Sequence, residues 1–179
     1  MKRAYITLLI LLMGGILTAQ EVVYKDASML PVYGKVAEKT NTRYERLPSY
    51  LQGVSRDPVW YLGTNSAGLF IRFRSNSTSI HARWESMYNN SMPHMTDTGT
   101  KGLDLYALVD GEWRHAGCAQ PLGKKSERTI IANMDPIERE YMLYLSLYDG
   151  VSSLEIGVDE GATLAQPAVD SPRTDKPIV

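Results

Sequence analysis

The chain has 179 residues, with 19 Lys and Arg against 20 Asp and Glu and a formal net charge of −1. That even balance, with no basic stripe, excludes nucleic acid as a natural partner. A single cysteine, Cys118, rules out an internal disulfide, and it reads as a small core residue rather than a nucleophile.

Residues 1–19 read as an export signal. Lys2 and Arg3 form a positive start, and Ile6 to Leu12 is an apolar core too short to span a bilayer comfortably. Gly14, Gly15, Thr18 and Ala19 are the small residues a signal peptidase prefers. Cleavage after Ala19 leaves Gln20 at the N-terminus of a periplasmic or secreted protein; an uncleaved anchor is the alternative. No other segment is apolar enough to span a membrane, so no membrane association is expected after cleavage. Residues 20–170 are enough for one core and one domain.

Residues 20–58 are irregular and punctuated by Pro31, Pro48 and Pro58, which predicts a strand or two joined by loops. From Val59 onward the pattern changes. Leu69, Ile71 and Phe73 alternate with Phe70, Arg72 and Arg74, and Ile80, Ala82 and Trp84 alternate with His81, Arg83 and Glu85. Period two over such runs predicts half-buried strands, with Arg72 and Arg74 on an outer face and a turn at Asn76-Ser77. Leu103, Leu105, Ala107 and Val109 alternate up to Asp110-Gly111, and Glu112-Trp113-Arg114-His115 resumes the run. An Asp-Gly pair between alternating runs is a strong hairpin signal, because both residues tolerate positive φ. Arg128–Ala132, Tyr141–Leu147 and Leu154–Val158 are further strand candidates, with Asp149-Gly150 between the last two. Asp135-Pro136 resembles a helix start, so a short helix or turn is expected over Asp135–Glu140. Many short strands and no helical period of useful length predict an all-β antiparallel sandwich or jelly roll.

Catalytic chemistry is mostly missing. Serine catalysis needs a nucleophile on a sharp turn, a histidine base and oxyanion donors. Gly53-Val54-Ser55 and Gly150-Val151-Ser152 are matches of no specificity, and His81 and His115 fall on predicted strands, where a structural role is favoured. Glu112 and His115 are three apart on a strand and point to opposite faces, so no metal site is expected. Asp97-Thr98-Gly99 follows a loop rather than an apolar strand, which argues against an aspartic-protease role. Gly117 to Lys124 fails as a phosphate-binding loop because its glycines are one residue too far apart. No cofactor is implied.

One stretch is richer. Trp84-Glu85-Ser86-Met87-Tyr88-Asn89-Asn90-Ser91-Met92-Pro93-His94-Met95 leads into Gly99-Thr100-Lys101-Gly102. Loops of that composition at a sandwich rim bind ligands or close over a neighbouring site. The alternative is a loop whose asparagines satisfy its own backbone.

Gly102-Leu103-Asp104-Leu105-Tyr106 resembles the Gly-x-Asp-Leu-Tyr signature of the β-sandwich domain that precedes an SGNH (GDSL-type) catalytic domain in bacterial esterases. Asn65-Ser66-Ala67-Gly68-Leu69, Asn89 to Met95, Met142 to Gly150, Ser153 to Asp159 and Lys176-Pro177-Ile178-Val179 fit the same family in order. The resemblance implies that Lys176 to Val179, within a linker at 171–179, begins the first strand of a hydrolase domain. The nucleophile and the Asp-x-x-His block would lie beyond it. No catalytic residue is carried over. The expected function is a non-catalytic accessory domain of an exported esterase acting on acylated carbohydrate. Its amide-rich loop would shape the cleft through Trp84, Asn89, Asn90, His94 and Lys101, with Trp84 as the anchor. With no partner sheet, residues 170–179 are expected to pack poorly. The runner-up is a free-standing glycan-binding module using Trp60, Tyr61 and Trp113; a self-sufficient hydrolase ranks last.

Overall fold

The computed structural model describes residues 21–37 and 39–168. The expected signal segment 1–19 and expected linker 171–179, with the packing expected of 170–179, lie outside the described residues.

The alternating runs become strands that stack as two sheets. In chain order they are β1 (Val22–Asp26), β2 (Val32–Tyr33), β3 (Phe70–Ser75), β4 (Ile80–Ser86), β5 (Leu103–Val109), β6 (Glu112–Ala119), β7 (Lys125–Ile131), β8 (Arg139–Tyr144) and β9 (Val151–Asp159). One sheet has the order β1-β9-β4-β7 and the other β2-β3-β8-β5-β6. Every pairing is antiparallel. Two short helices interrupt the strands, α1 (Asp57–Gly63) and α2 (Asp97–Lys101). The architecture is the all-β antiparallel sandwich that the alternation predicted.

The core lies where period two places it. Leu69, Ile71, Phe73, Leu103, Leu105, Tyr141 and Leu143 face Ile80, Ala82, Trp84, Leu154, Ile156 and Val158 across the sandwich, all buried. Phe73 stacks on Tyr141 at 5.3 Å between ring centroids. Asp110 (φ 54°) and Gly111 (φ 81°) close the β5–β6 hairpin in the conformation their types favour.

Four local features go beyond the alternation. The connection at Asn76-Ser77 carries the chain from the five-stranded to the four-stranded sheet. There Asp159 takes bonds from the Thr78 N–H and hydroxyl and the Ser79 hydroxyl, each 2.6 Å, which pin the crossover. Of the helix or turn expected over Asp135–Glu140, the chain takes a turn, with the Ile137 N–H on the Asp135 carbonyl, and β8 begins at Arg139. Asp57–Gly63 does form a helix, with Pro58 in its first turn, where a missing N–H costs nothing. Cys118 pairs with Asp104, on the side of β5 and β6 away from the core, and is only half-buried.

The two outer faces differ in chemistry. On the four-stranded sheet Arg83 pairs with Glu127 (2.9 Å) and Glu155 (3.1 Å), and Tyr24 donates to Glu127 (3.0 Å). These are exposed pairs of small net value, typical of a watered face. On the five-stranded sheet the outer face is aromatic. Tyr33 stacks on Phe70 (5.4 Å), Phe70 meets Tyr144 (4.9 Å), and Tyr144 meets Tyr106 edge-on (5.7 Å). Arg72 is on that outer face, as expected, yet it is only 5% exposed. Its guanidinium lies over the rings of Tyr33 and Trp113 and pairs with Glu140.

Candidate functional site

The amide-rich loop sits at the end of the sandwich where β4 finishes and β5 starts. Its organiser is Asp149, which is fully buried. The Tyr88 N–H donates to Oδ1 (3.0 Å) and the Asn90 N–H to Oδ2 (2.7 Å), while the Asp149 carbonyl accepts from the Ser66 N–H (3.0 Å). One carboxylate therefore fixes two loop amides, the same service a capping side chain gives a helix end.

The predicted site residues divide by role. Trp84 is 1% exposed, on the inner face of β4, and presents no surface to a ligand. Its indole N–H donates to the Lys101 carbonyl (3.1 Å), which also accepts from the Ser146 hydroxyl (3.1 Å). Lys101 is 3% exposed, with its ammonium on Asn89 Oδ1 (2.8 Å) and Asp97 Oδ2 (3.2 Å). Asn89 takes a left-handed conformation (φ 62°), which asparagine tolerates, and so brings its amide oxygen to Lys101. Asn90 donates to the Tyr148 carbonyl (2.9 Å) and accepts from the Tyr61 hydroxyl (3.0 Å). These four residues hold the loop in one shape.

His94 differs. Met92-Pro93-His94-Met95 forms a turn closed by the Met95 N–H on the Met92 carbonyl (3.4 Å), with proline in the second position where its fixed φ fits. His94 stands exposed on that turn. The loop thus presents one imidazole on a braced support.

Sequence reasoning missed two contributors. Asp149 was legible only as part of a turn, because its partners lie 59 and 61 residues away. Helix α1 also borders the loop. The Tyr61 and Tyr88 rings meet at 4.9 Å, and the Thr64 hydroxyl bonds the Tyr61 carbonyl (2.7 Å) and the Tyr88 hydroxyl (2.8 Å). Val59, Tyr61, Leu62, Tyr88 and Leu147 are exposed at this end. Trp60 and Tyr61 belong to α1 and Trp113 to β6, so the three do not form a shared platform.

Ser79 and His81 resemble a nucleophile and its base, with Oγ and Nε2 at 2.8 Å. The Ser79 hydroxyl, however, donates to Asp159 Oδ1. It must then accept from the Nε2–H of His81, a tautomer that cannot take its proton. Burial lowers the His81 pKa, which favours that neutral ring.

The Gly-Leu-Asp-Leu-Tyr segment also divides. A side chain at Gly102 would place its Cβ 2.4 Å from the Thr98 carbonyl oxygen and 2.9 Å from that of Ala119, so only glycine fits. Leu103 and Leu105 fill the core, while Asp104 and Tyr106 point outward.

A family model described as GxDLY, the N-terminus of SGNH-hydrolase-type esterases, matches residues 22–164. A solved structure described as a GDSL-like lipase from Bacteroides ovatus is 38% identical with a TM-score of 0.78. That match covers 82% of this chain and 43% of the other. The salicylyl-acyltransferase SsfX3 from a tetracycline biosynthetic pathway shares the fold, at 17% identity and a TM-score of 0.61, with 87% of this chain and 44% of that one covered. The chain therefore spans less than half the length of either protein. No curated protein matches it.

Proposed function

Because the chain belongs to the GxDLY family of domains that form the N-terminus of SGNH-hydrolase-type esterases, we propose that it is the non-catalytic accessory domain of an exported esterase acting on acylated carbohydrate. It packs against a hydrolase domain and lends the braced loop at residues 87–101 to the wall of that domain's substrate cleft. The family match over residues 22–164 carries this reading. Two features of the loop end support it. Tyr61 and Tyr88 form one exposed apolar contact, Leu62 and Leu147 line one hollow, and Val59 and Leu62 line the next. Adjoining exposed apolar groups of this size are what a docked neighbour would cover. His94 is also exposed, on a turn within the braced loop.

The test is a chimera in which residues 21–168 replace the matching half of the Bacteroides ovatus protein. Ester turnover is measured with small and bulky acylated sugars. His94→Ala is expected to change kcat/KM for the bulky esters at least fivefold, with an unchanged melting temperature. Equal kinetics for His94→Ala and the parent chimera, both folded, would remove the loop from the cleft.

A further inference from the structure

The outer face of the five-stranded sheet holds an open cleft of about 330 Å³ lined by Asp104, Tyr106, Trp113, Met142 and Tyr144. That volume falls within the range, roughly 300–1,000 Å³, of sites that take small molecules. Its walls are unusual for a surface that only meets water. Tyr106 and Tyr144 meet at 77°, so their rings form a near right-angled corner. Trp113 and Met142 line the cleft with them, and the guanidinium of Arg72 lies 5.5 Å from the Trp113 ring centroid.

The polar groups of the cleft are idle. Asp104 is 59% exposed, and the His115 Nε2 atom is 4.0 Å away, beyond hydrogen-bond reach. Among the described residues, neither the Tyr106 nor the Tyr144 hydroxyl makes a hydrogen bond. The fold has no use for these groups either. Gly102 and Leu105 of the signature are accounted for by close packing and the core, whereas the Asp104 carboxylate and the Tyr106 hydroxyl lie outside the core. The letters D and Y in the family's own description fall on these two residues.

We propose that this cleft binds one pyranose ring of a neutral saccharide. The C–H face of a sugar ring is weakly positive and apolar, and it lies well on the negative face of an aromatic ring. Its hydroxyls supply donors to the Asp104 carboxylate and exchange bonds with the two phenols. A charged sugar is disfavoured: the rim carries a carboxylate, and the Arg72 guanidinium beside Trp113 is already paired with Glu140. A protein partner sealing this face would strip water from Asp104 with no bonded cation to replace it, which is costly. A sugar satisfies the carboxylate and leaves its far side wet. None of its lining residues belongs to the loop at residues 87–101, so the proposal stands whether or not that loop lines an esterase cleft.

The test is an NMR titration of the ¹⁵N-labelled chain with methyl β-D-xylopyranoside, methyl β-D-glucopyranoside, methyl α-D-mannopyranoside, xylotriose and cellotriose. Saturable shifts confined to Asp104, Tyr106, Tyr144 and the Trp113 indole N–H are expected with at least one of them. Asp104→Asn, an exposed change that leaves the core untouched, and Trp113→Ala should each weaken binding at least tenfold, while Trp60→Ala should not. Silence with all five sugars, shifts centred elsewhere, or binding indifferent to both Asp104→Asn and Trp113→Ala would overturn the proposal. So would exclusion of this face from hydrogen exchange in the chimera with no sugar present, which would make it an interdomain contact.

Discussion

Replacing Asp149 by alanine tests how the loop end is held. The fully buried carboxylate accepts the Tyr88 and Asn90 amides at 3.0 and 2.7 Å. A hydrogen bond to a charged group contributes about 1.5–3 kcal/mol. Two would come to about 3–6 kcal/mol, but both amides lie in a partly buried loop where water can enter and recover some of the loss. The expected destabilisation is therefore about 2–4 kcal/mol. At about 2–4 °C per kcal/mol for a domain of this size, the melting temperature should fall by roughly 5–15 °C. Urea titration should show a lower midpoint with an unchanged slope, since the exposed surface hardly changes. Hydrogen exchange at Tyr88 and Asn90 should accelerate more than at the core strands. Asp149→Asn keeps one acceptor oxygen and should lose about half as much. A loss below about 1 kcal/mol, with both amides still protected, would refute the claim that this one carboxylate organises the loop.

Two further outcomes concern charge. Burial by itself would raise the Asp159 pKa, but the hydrogen bonds from Ser79, Thr78 and Ser77 together outweigh it and hold the group at about 2. A depressed carboxylate stabilises the fold above its unfolded pKa near 4 and loses that contribution as pH falls toward 2. The stability gap between wild type and Asp159→Asn should thus narrow by about 2 kcal/mol between pH 5 and pH 2, followed by urea unfolding; a constant gap would contradict it. For the buried Arg72–Glu140 pair, Arg72→Ala should cost about 3–5 kcal/mol because Glu140 is stranded, whereas Arg72→Met with Glu140→Leu should be close to neutral. Equal losses for the single and double changes would mean that Arg72 matters by its bulk rather than its charge.

Strand content was legible because period two needs only local sequence: Leu69, Ile71 and Phe73 point inward wherever β3 is placed. Which sheet a strand joins was not. The runs around Ile71 and Ala82 read alike, yet β3 and β4 lie in opposite sheets, and only distant pairings with β8 and β9 decide that. Helix α1 escaped notice because seven residues give too few turns for a helical period, and Pro58 read as punctuation. Arg72 was placed on the correct face, but alternation says nothing of what other strands deliver there, so its cover by Trp113 was invisible. The composition of the loop marked the site. How each residue is used was hidden, because the oxygen of Asn89 is taken up by Lys101 and the Asn90 amide by Asp149, contacts fixed by tertiary structure.

β9 lies between β1 and β4, so the last strand of the sandwich is an interior member of its sheet, paired with the first strand over Val22–Asp26. During synthesis, then, Leu154, Ile156 and Val158 join the core only once β9 has left the ribosome. β1, made first, must wait unpaired for the whole interval. The four-stranded sheet therefore closes late, and a premature stop before β9 would leave β1 and β4 without the strand that joins them.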